Sequence, residues 1–270
     1  MKKNIILMAL AVAALAACEK SVPYEPGAPM NLDNPNVYFS AYNSTKTVLA
    51  SDATEFEVAI LRDDVETALT LPLKGACPYE GLFTVPETVE FAAGVDSVSF
   101  KVQVSDKIEM FKDYQLYISI PEEYTHAYLP SETTGPRFIA NVVKEDYVPY
   151  ADGYCLELTL IGKSYERTLE YSALKDEYRI QDAWNGGTTL SFKWDGATNV
   201  TAEKQYASGL TYGNYGPVTL KTEAAAFATV PANYLGQELP AFEFQFWYTV
   251  SAGTLGTAPF PYYFIPMKKY

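Results

Sequence analysis

The chain contains 270 residues, of which 48% are hydrophobic and 14% aromatic, and its net charge is −13. This apolar fraction is sufficient for buried cores and excludes a largely disordered chain, while the length suffices for two ordinary domains. The acidic balance argues against nucleic acid as a partner, because phosphates are bound by basic surfaces, and against electrostatic adhesion to anionic lipid.

The first 18 residues have the features of an export signal. Lys2 and Lys3 precede an apolar run, residues 5–15, that is too short to span a membrane, and small residues follow. This order predicts a signal peptide over residues 1–17. The Leu-Ala-Ala-Cys sequence that ends at Cys18 resembles the lipobox of bacterial lipoproteins. The resemblance implies lipidation of Cys18 and anchoring of an exported protein to the outer membrane, facing the periplasm or the cell surface.

Residues 18–35 are predicted to form an extended tether. The segment contains four prolines and almost no apolar periodicity. Proline-rich chains favour the polyproline II conformation, so this segment is expected to hold the first domain away from the lipid.

Residues 36–146 contain short alternating runs that predict β-strands. In the run over residues 55–61, Phe56, Val58 and Ile60 fall on one face, which is the period of a half-buried strand. About seven such runs with turn signals between them predict an antiparallel sandwich.

Two further features of this region concern its strand pairing. Pro72 lacks a backbone donor, so its strand is expected at an edge or at a bulge. A turn over residues 93–96 predicts a hairpin between the runs 89–91 and 98–104.

The same region resembles a Calx-beta-type module, as found in lipoproteins of glycan-harvesting Gram-negative bacteria. The resemblance lies in the stretches FEVAILRDD, FTVPETVEFAAGVDSVSFKVQVSD and DYQLYISIPEE, and it implies an Ig-like sandwich. Calcium-binding members carry an acidic cluster where this chain has residues 106–113, which include two lysines and three apolar residues. Because calcium takes six to eight oxygen ligands, we expect no metal site, and nothing in the chain indicates a cofactor.

Ser97 is a candidate modification site. The sequence Asp96-Ser97-Val98 resembles the short site at which some of these bacteria O-glycosylate exported proteins.

A second β domain is predicted over residues 150–270. Residues 144–153 show no strand pattern and contain Pro149, Asp152 and Gly153, so the boundary is placed there. Beyond it, one set of alternating positions from Tyr154 to Leu160 is apolar, and the other set includes Cys155 and Glu157. More runs favour sheet: 165–174, 177–182, 189–194, 218–222 and 242–250. A short helical pattern occurs at 223–227.

The cysteines other than Cys18 are Cys77 and Cys155. An exported protein permits a disulfide between them. Their placement in different predicted domains favours the alternative of two small buried thiols.

Few residues indicate catalysis. His126 is the single histidine and is predicted in a loop, and no nucleophile or phosphate-binding motif is present. Paired carboxylates of a glycoside hydrolase meet in space rather than in sequence, so the many acidic residues carry no positive signal.

Trp247 is the candidate ligand-contacting residue. In the run 242–250, Phe242, Phe244 and Phe246 share one face, whereas Trp247 shares the other with Glu243 and Gln245. An indole ring beside hydrogen-bonding groups is suited to stacking on a sugar ring. The alternative is that a neighbouring strand, or the proline-rich tail over residues 259–266, covers it.

These features predict a non-enzymatic cell-envelope lipoprotein acting in surface binding, adhesion or nutrient capture, with a glycan or a protein as partner. One alternative is an envelope glycan hydrolase that uses paired carboxylates. Another is a structural or assembly subunit with a free sheet edge.

Overall fold

The computed structural model describes residues 34–126, 135–222 and 228–270. The predicted signal peptide, Cys18, nearly all of the predicted tether and the helical pattern at 223–227 lie outside the described residues. Within these ranges the regular structure consists of 21 β-strands and three single-turn 3₁₀ helices, at Glu122–Tyr124, Gly213–Tyr215 and Ala232–Tyr234. The all-β prediction is therefore confirmed. In the same ranges, no helix is long and apolar enough to cross a membrane.

Ten strands form the first half of the molecule. They are β1 (Val37–Phe39), β2 (Lys46–Ala50), β3 (Glu55–Arg62), β4 (Leu69–Pro72), β5 (Lys74–Ala76), β6 (Phe83–Thr84), β7 (Thr88–Phe91), β8 (Ser97–Val104), β9 (Tyr114–Ser119) and β10 (Arg137–Glu145). Two sheets have the orders β1-β3-β8-β6 and β2-β10-β9-β5, and β4 pairs with β7. Val58 and Val102 of one sheet share an apolar core with Leu116 and Val142 of the other, as predicted for a sandwich.

Strand pairing in this domain departs from the predictions at two places. β2 runs parallel to β10, and the predicted hairpin is wrong because β7 pairs with β4 whereas β8 pairs with β3 and β6. The connection between β7 and β8 is held by buried Arg62, whose guanidinium donates hydrogen bonds to the backbone oxygens of Thr67, Ala92 and Val95. The connection that these bonds hold crosses from the β4–β7 pair to the sheet that contains β8. Pro72 lies in β4, which borders only β7, as expected for an edge strand.

The two halves are joined by a very short connection. β10 ends at Glu145 and β11 begins at Val148, so the interruption falls within the predicted boundary, residues 144–153, but most of these residues are in strands, contrary to the expected absence of a strand pattern. Gly153, which suggested a loop, lies within β11. A Cβ atom at this position would meet the backbone oxygen of Ile265 at 2.5 Å. Close backbone approach, rather than a turn, requires this glycine.

Charged and aromatic contacts cross the junction. Arg179 pairs with Glu145 from the first domain and with Glu170 at 2.6 Å. The guanidinium carbon of Arg179 also lies 3.6 Å from the centroid of the Tyr147 ring. Burial would lower the pKa of Arg179, but its bonds to Glu170 and Glu145 outweigh burial and raise it.

Eleven strands form the second half. They are β11 (Val148–Glu157), β12 (Lys163–Ser172), β13 (Glu177–Ile180), β14 (Leu190–Trp194), β15 (Val200–Ala202), β16 (Gln205–Thr211), β17 (Pro217–Lys221), β18 (Ala228–Thr229), β19 (Phe242–Val250), β20 (Gly253–Thr254) and β21 (Phe260–Lys269). The main path of the sheet is β15-β14-β13-β12-β11-β21-β19-β17-β16.

This sheet closes on itself. Its first and last strands, β15 and β16, are consecutive in the chain and separated by only Glu203 and Lys204, which keeps the two ends of the path within about 10 Å. At the other end of β15, Asn199 bridges to Thr229 of β18, which in turn pairs with β19. The second domain is therefore a barrel, and its interior holds bulky side chains including Trp184, Phe192, Phe244 and Tyr262.

The proline-rich tail over residues 259–266 belongs to β21 from Phe260 onward, a strand that was not predicted from the sequence. β21 pairs with both β11 and β19. Pro261 lies before the stretch that borders β11, and Pro266 lies at a register shift. Both prolines thus occupy positions where a missing donor is tolerated.

In β11 the buried face carries Cys155 and Glu157, while Leu158 beyond the strand is 64% exposed. The Glu157 carboxylate accepts hydrogen bonds from the backbone N–H groups of Thr159, Leu160 and Ile161, at 2.6–3.2 Å, and from the Tyr248 hydroxyl at 2.7 Å. Burial, followed by the neighbouring Glu157, raises the pKa of Tyr248. A buried carboxylate with four donor groups is fully satisfied.

We expect Glu157→Gln to lower the free energy of unfolding by about 3 kcal/mol, because the amide turns a donor toward backbone donors in a buried site. Urea unfolding measures the change. Glu166→Gln is the control, because the Glu166 carboxylate accepts a hydrogen bond from the exposed Tyr154 hydroxyl. This substitution should change stability by less than about 0.5 kcal/mol. Equal effects of the two substitutions would contradict this role of Glu157.

We expect the stability of the junction to be sensitive to acid because of Asp146. Burial alone would raise its pKa, but hydrogen bonds from Ser172 and from the Leu174 N–H outweigh burial and hold the pKa below the ordinary value. The unfolded carboxyl titrates near pH 4. The stabilisation is therefore present above about pH 4 and is lost as the pH falls through the lower folded pKa.

Accordingly, Asp146→Asn should reduce stability at pH 7 and should lose less stability than the native protein between pH 5 and pH 2. Urea midpoints across this range test the expectation. Asp52→Asn, at an exposed turn position, serves as control and should follow the native curve. An Asp146→Asn curve parallel to the native one would refute it.

Candidate functional site

Trp247 lies where the alternation of its strand predicts, on the outer face of the barrel. Phe242, Phe244, Phe246 and Tyr248 of β19 are fully buried, whereas Trp247 is partly buried. It stands directly opposite Lys221 of β17 in the antiparallel ladder. Trp247 is therefore neither fully open nor fully covered, and the surface around it decides what it can contact.

A hollow of about 410 Å³ lies on this outer face and is lined by Lys221, the ladder partner of Trp247, but not by Trp247 itself. Thr219 and Thr249 stand opposite each other in the ladder, one position along from the Lys221–Trp247 pair on the same face. The residues that line the hollow are mostly polar: Gln205, Pro217, Thr219, Lys221, Thr249, Val250, Ser251, Gly253 and Thr254. Their hydroxyl, amide and ammonium groups provide hydrogen-bond donors and acceptors that face one space.

A second hollow of about 310 Å³ adjoins the first. The two share Val250, Gly253 and Thr254. The second hollow is also lined by Tyr212 and Tyr215, which are 44% and 51% exposed and whose ring centroids are 6.0 Å apart with planes at 20°. Two exposed, nearly parallel rings therefore border a mostly apolar hollow that adjoins the polar one.

On the other side of Trp247, Glu243 is engaged with neighbouring side chains. Gln245 donates a hydrogen bond to its carboxylate, and Tyr263 stands opposite Glu243 in the ladder with β21. Burial, with Glu243 beside it, raises the pKa of Tyr263. The Tyr263 hydroxyl therefore stays neutral at neutral pH.

The other tryptophans belong to the barrel interior. Trp184 is fully buried against Tyr206, Phe246 and Tyr262. Trp194 packs against Phe242. Of the three tryptophans, Trp247 is thus the one on the outer face.

The remaining predicted positions lie apart from this surface. Ser97 is exposed at the start of β8 in the first domain. Cys77 and Cys155 are both free and lie in different domains, and burial raises the pKa of Cys155 to about 12. In the region compared with Calx-beta calcium clusters, Glu109 pairs with Lys112. Across the described ranges, no group of three or more His, Cys, Asp or Glu residues is arranged to hold a metal ion.

No model of a known protein family matches the chain. A comparison with curated proteins also finds no match.

Several solved structures are similar to the chain at low identity. The apo form of the Calx CBD1 domain is 21% identical with a TM-score of 0.32, and the match covers 41% of this chain and 97% of that one. For CBD12 from CALX1.2 the values are 14% and 0.34, covering 80% and 81%. For a multidomain protein including DUF1735 from Bacteroides ovatus they are 12% and 0.31, covering 85% and 92%. The neighbours thus include Calx domains, and the likeness concerns the fold alone.

Proposed function

We propose that this protein is a non-enzymatic, lipid-anchored protein of the cell envelope that binds a glycan on the outer face of its second domain, around Trp247. The observation that carries the proposal is a polar hollow of about 410 Å³ on the outer face, lined by Lys221, which stands opposite Trp247 in the ladder. Glycan sites combine an aromatic face, on which the apolar face of a sugar ring packs, with hydrogen-bonding groups that fix its hydroxyls.

The composition of the hollow supports binding rather than hydrolysis. Lys221 is the one charged residue among those that line it. Glycoside hydrolysis ordinarily requires two carboxyl groups about 5–9.5 Å apart on either side of the scissile bond. A lining of threonine, serine and glutamine side chains can orient a sugar but supplies neither the acid nor the nucleophile.

The location proposed for the protein rests on the sequence around Cys18. A basic start, a short apolar run and Leu-Ala-Ala-Cys agree with export and lipidation. Two or more acyl chains would hold the protein stably, because each buried methylene contributes about 0.8 kcal/mol. Such an anchor would place a glycan-binding barrel at the outer membrane, where adhesion or nutrient capture requires it.

We expect Trp247→Ala to reduce glycan binding at least about tenfold, through the lost stacking contact. The measurement uses an array of neutral and acidic glycans. Tyr154→Ala is the matched control, because Tyr154 is 38% exposed in β11, outside the residues that line either hollow, and it should leave binding unchanged. Equal binding by native protein and Trp247→Ala, or no glycan bound by the folded native protein, would overturn the proposal.

Membrane attachment is tested by Cys18→Ser in the producing bacterium. The substitution should abolish lipid labelling and move the protein out of the outer-membrane fraction, because the acyl chains supply the attachment. Cys77→Ser should have no such effect, since its thiol lies in the first domain. Persistence of the Cys18→Ser protein in the membrane fraction would show that the anchor lies elsewhere.

A further inference from the structure

The loop that carries Tyr212 and Tyr215 is held in one geometry by its own backbone. The Tyr212 N–H donates to the Gly216 oxygen and the Tyr215 N–H to the Tyr212 oxygen, both at 3.0 Å. Gly213 and Gly216 have positive φ angles of 49° and 83°, which glycine adopts without strain. The turn between β16 and β17 is therefore built tightly rather than left open.

A bond from the neighbouring turn fixes the loop from outside. The Ser251 hydroxyl donates a hydrogen bond to the backbone oxygen of Tyr215 at 2.7 Å. Ser251 also lines the polar hollow on the outer face. A loop whose backbone is held this way loses little conformational freedom when a ligand binds to its side chains, which favours affinity. Their exposure of 44% and 51% has no counterpart in the fully buried rings of the barrel interior.

The two adjoining hollows together make up a depression that is lined at one end by Lys221, the ladder partner of Trp247, and at the other by the tyrosine pair. They meet at Val250, Gly253 and Thr254. Along β17, Lys221, which stands opposite Trp247, lies four positions from Pro217, which is next to the tyrosine loop. At about 3.3 Å per residue this distance is about 13 Å, which exceeds a single sugar ring.

We propose that Tyr212 and Tyr215 form a second aromatic subsite, so that the depression binds a neutral oligosaccharide longer than a disaccharide. This inference rests on the glycan binding proposed above for Trp247. One end of the oligosaccharide stacks on Trp247 and the other on the tyrosine pair. Its middle bonds the hydroxyls of Thr219, Thr249 and Thr254. A neutral ligand is favoured because the lining carries one charge, that of Lys221, within an acidic protein.

The test compares long and short ligands of the same sugar. Immobilised cello-, xylo- and manno-oligosaccharides, as disaccharides and hexasaccharides, are the probes for the full chain. We expect the double variant Tyr212→Ala/Tyr215→Ala to lose about tenfold in affinity for the bound hexasaccharide and less than about twofold for its disaccharide. Tyr212→Phe/Tyr215→Phe keeps both rings and should bind like the native protein. Tyr154→Ala controls for removal of an exposed tyrosine.

The outcomes separate this inference from the proposed function. Trp247→Ala should weaken both ligand lengths. If Trp247→Ala weakens binding while the double alanine variant binds the hexasaccharide like the native protein, the second subsite is refuted and glycan binding stands. Binding of acidic glycans only would also refute the inference and leave the proposed function intact. A folded native protein that binds no glycan refutes both. Thermal melts of each variant establish that it is folded.

Discussion

The interior of the second domain is filled with aromatic rings, and this constraint determines where the domain can bind anything. A barrel of about eight strands has an interior only wide enough for side chains. Here Trp184 enters the interior from the connection between β13 and β14. Phe192, Phe244 and Tyr262 also lie in the interior. The glycan binding proposed above is for this reason placed on the outer face, outside these packed rings.

The candidate site forms where the neighbouring strands β16, β17, β19 and β20 pair side by side. β19 pairs with β21 over its first half and with β17 over its second half, so Trp247 stands at the change of partner. The tyrosine loop joins β16 to β17, and Ser251 follows β19. These segments form one surface because β17 pairs with both β16 and β19, which makes the site a consequence of strand pairing rather than of a single sequence motif.

Alternation predicted the strands well where one face is apolar and failed where special residues intervene. The run over β19 was predicted with its bounds and its buried face correct. β21 was missed because Pro261 and Pro266 usually exclude a central strand, and their tolerated positions depend on partners that are remote in sequence. The buried face of β11 could not be read from hydrophobicity, since Glu157 becomes acceptable there only through Tyr248 and the turn that follows.

The same reasoning explains why half of the candidate site was found from the sequence. Trp247 interrupts the polar positions of a strand with period two, so its outward direction follows from the period alone. Tyr212 and Tyr215 lie in a loop, where no period exists, and their glycine-rich surroundings predict a turn without indicating where its rings point. The hydroxyls of Thr219 and Thr249 carry no signal of their own. They become a site only when β17 pairs with β19, and that pairing, across the segment between the two strands, is not visible in the local sequence of either strand.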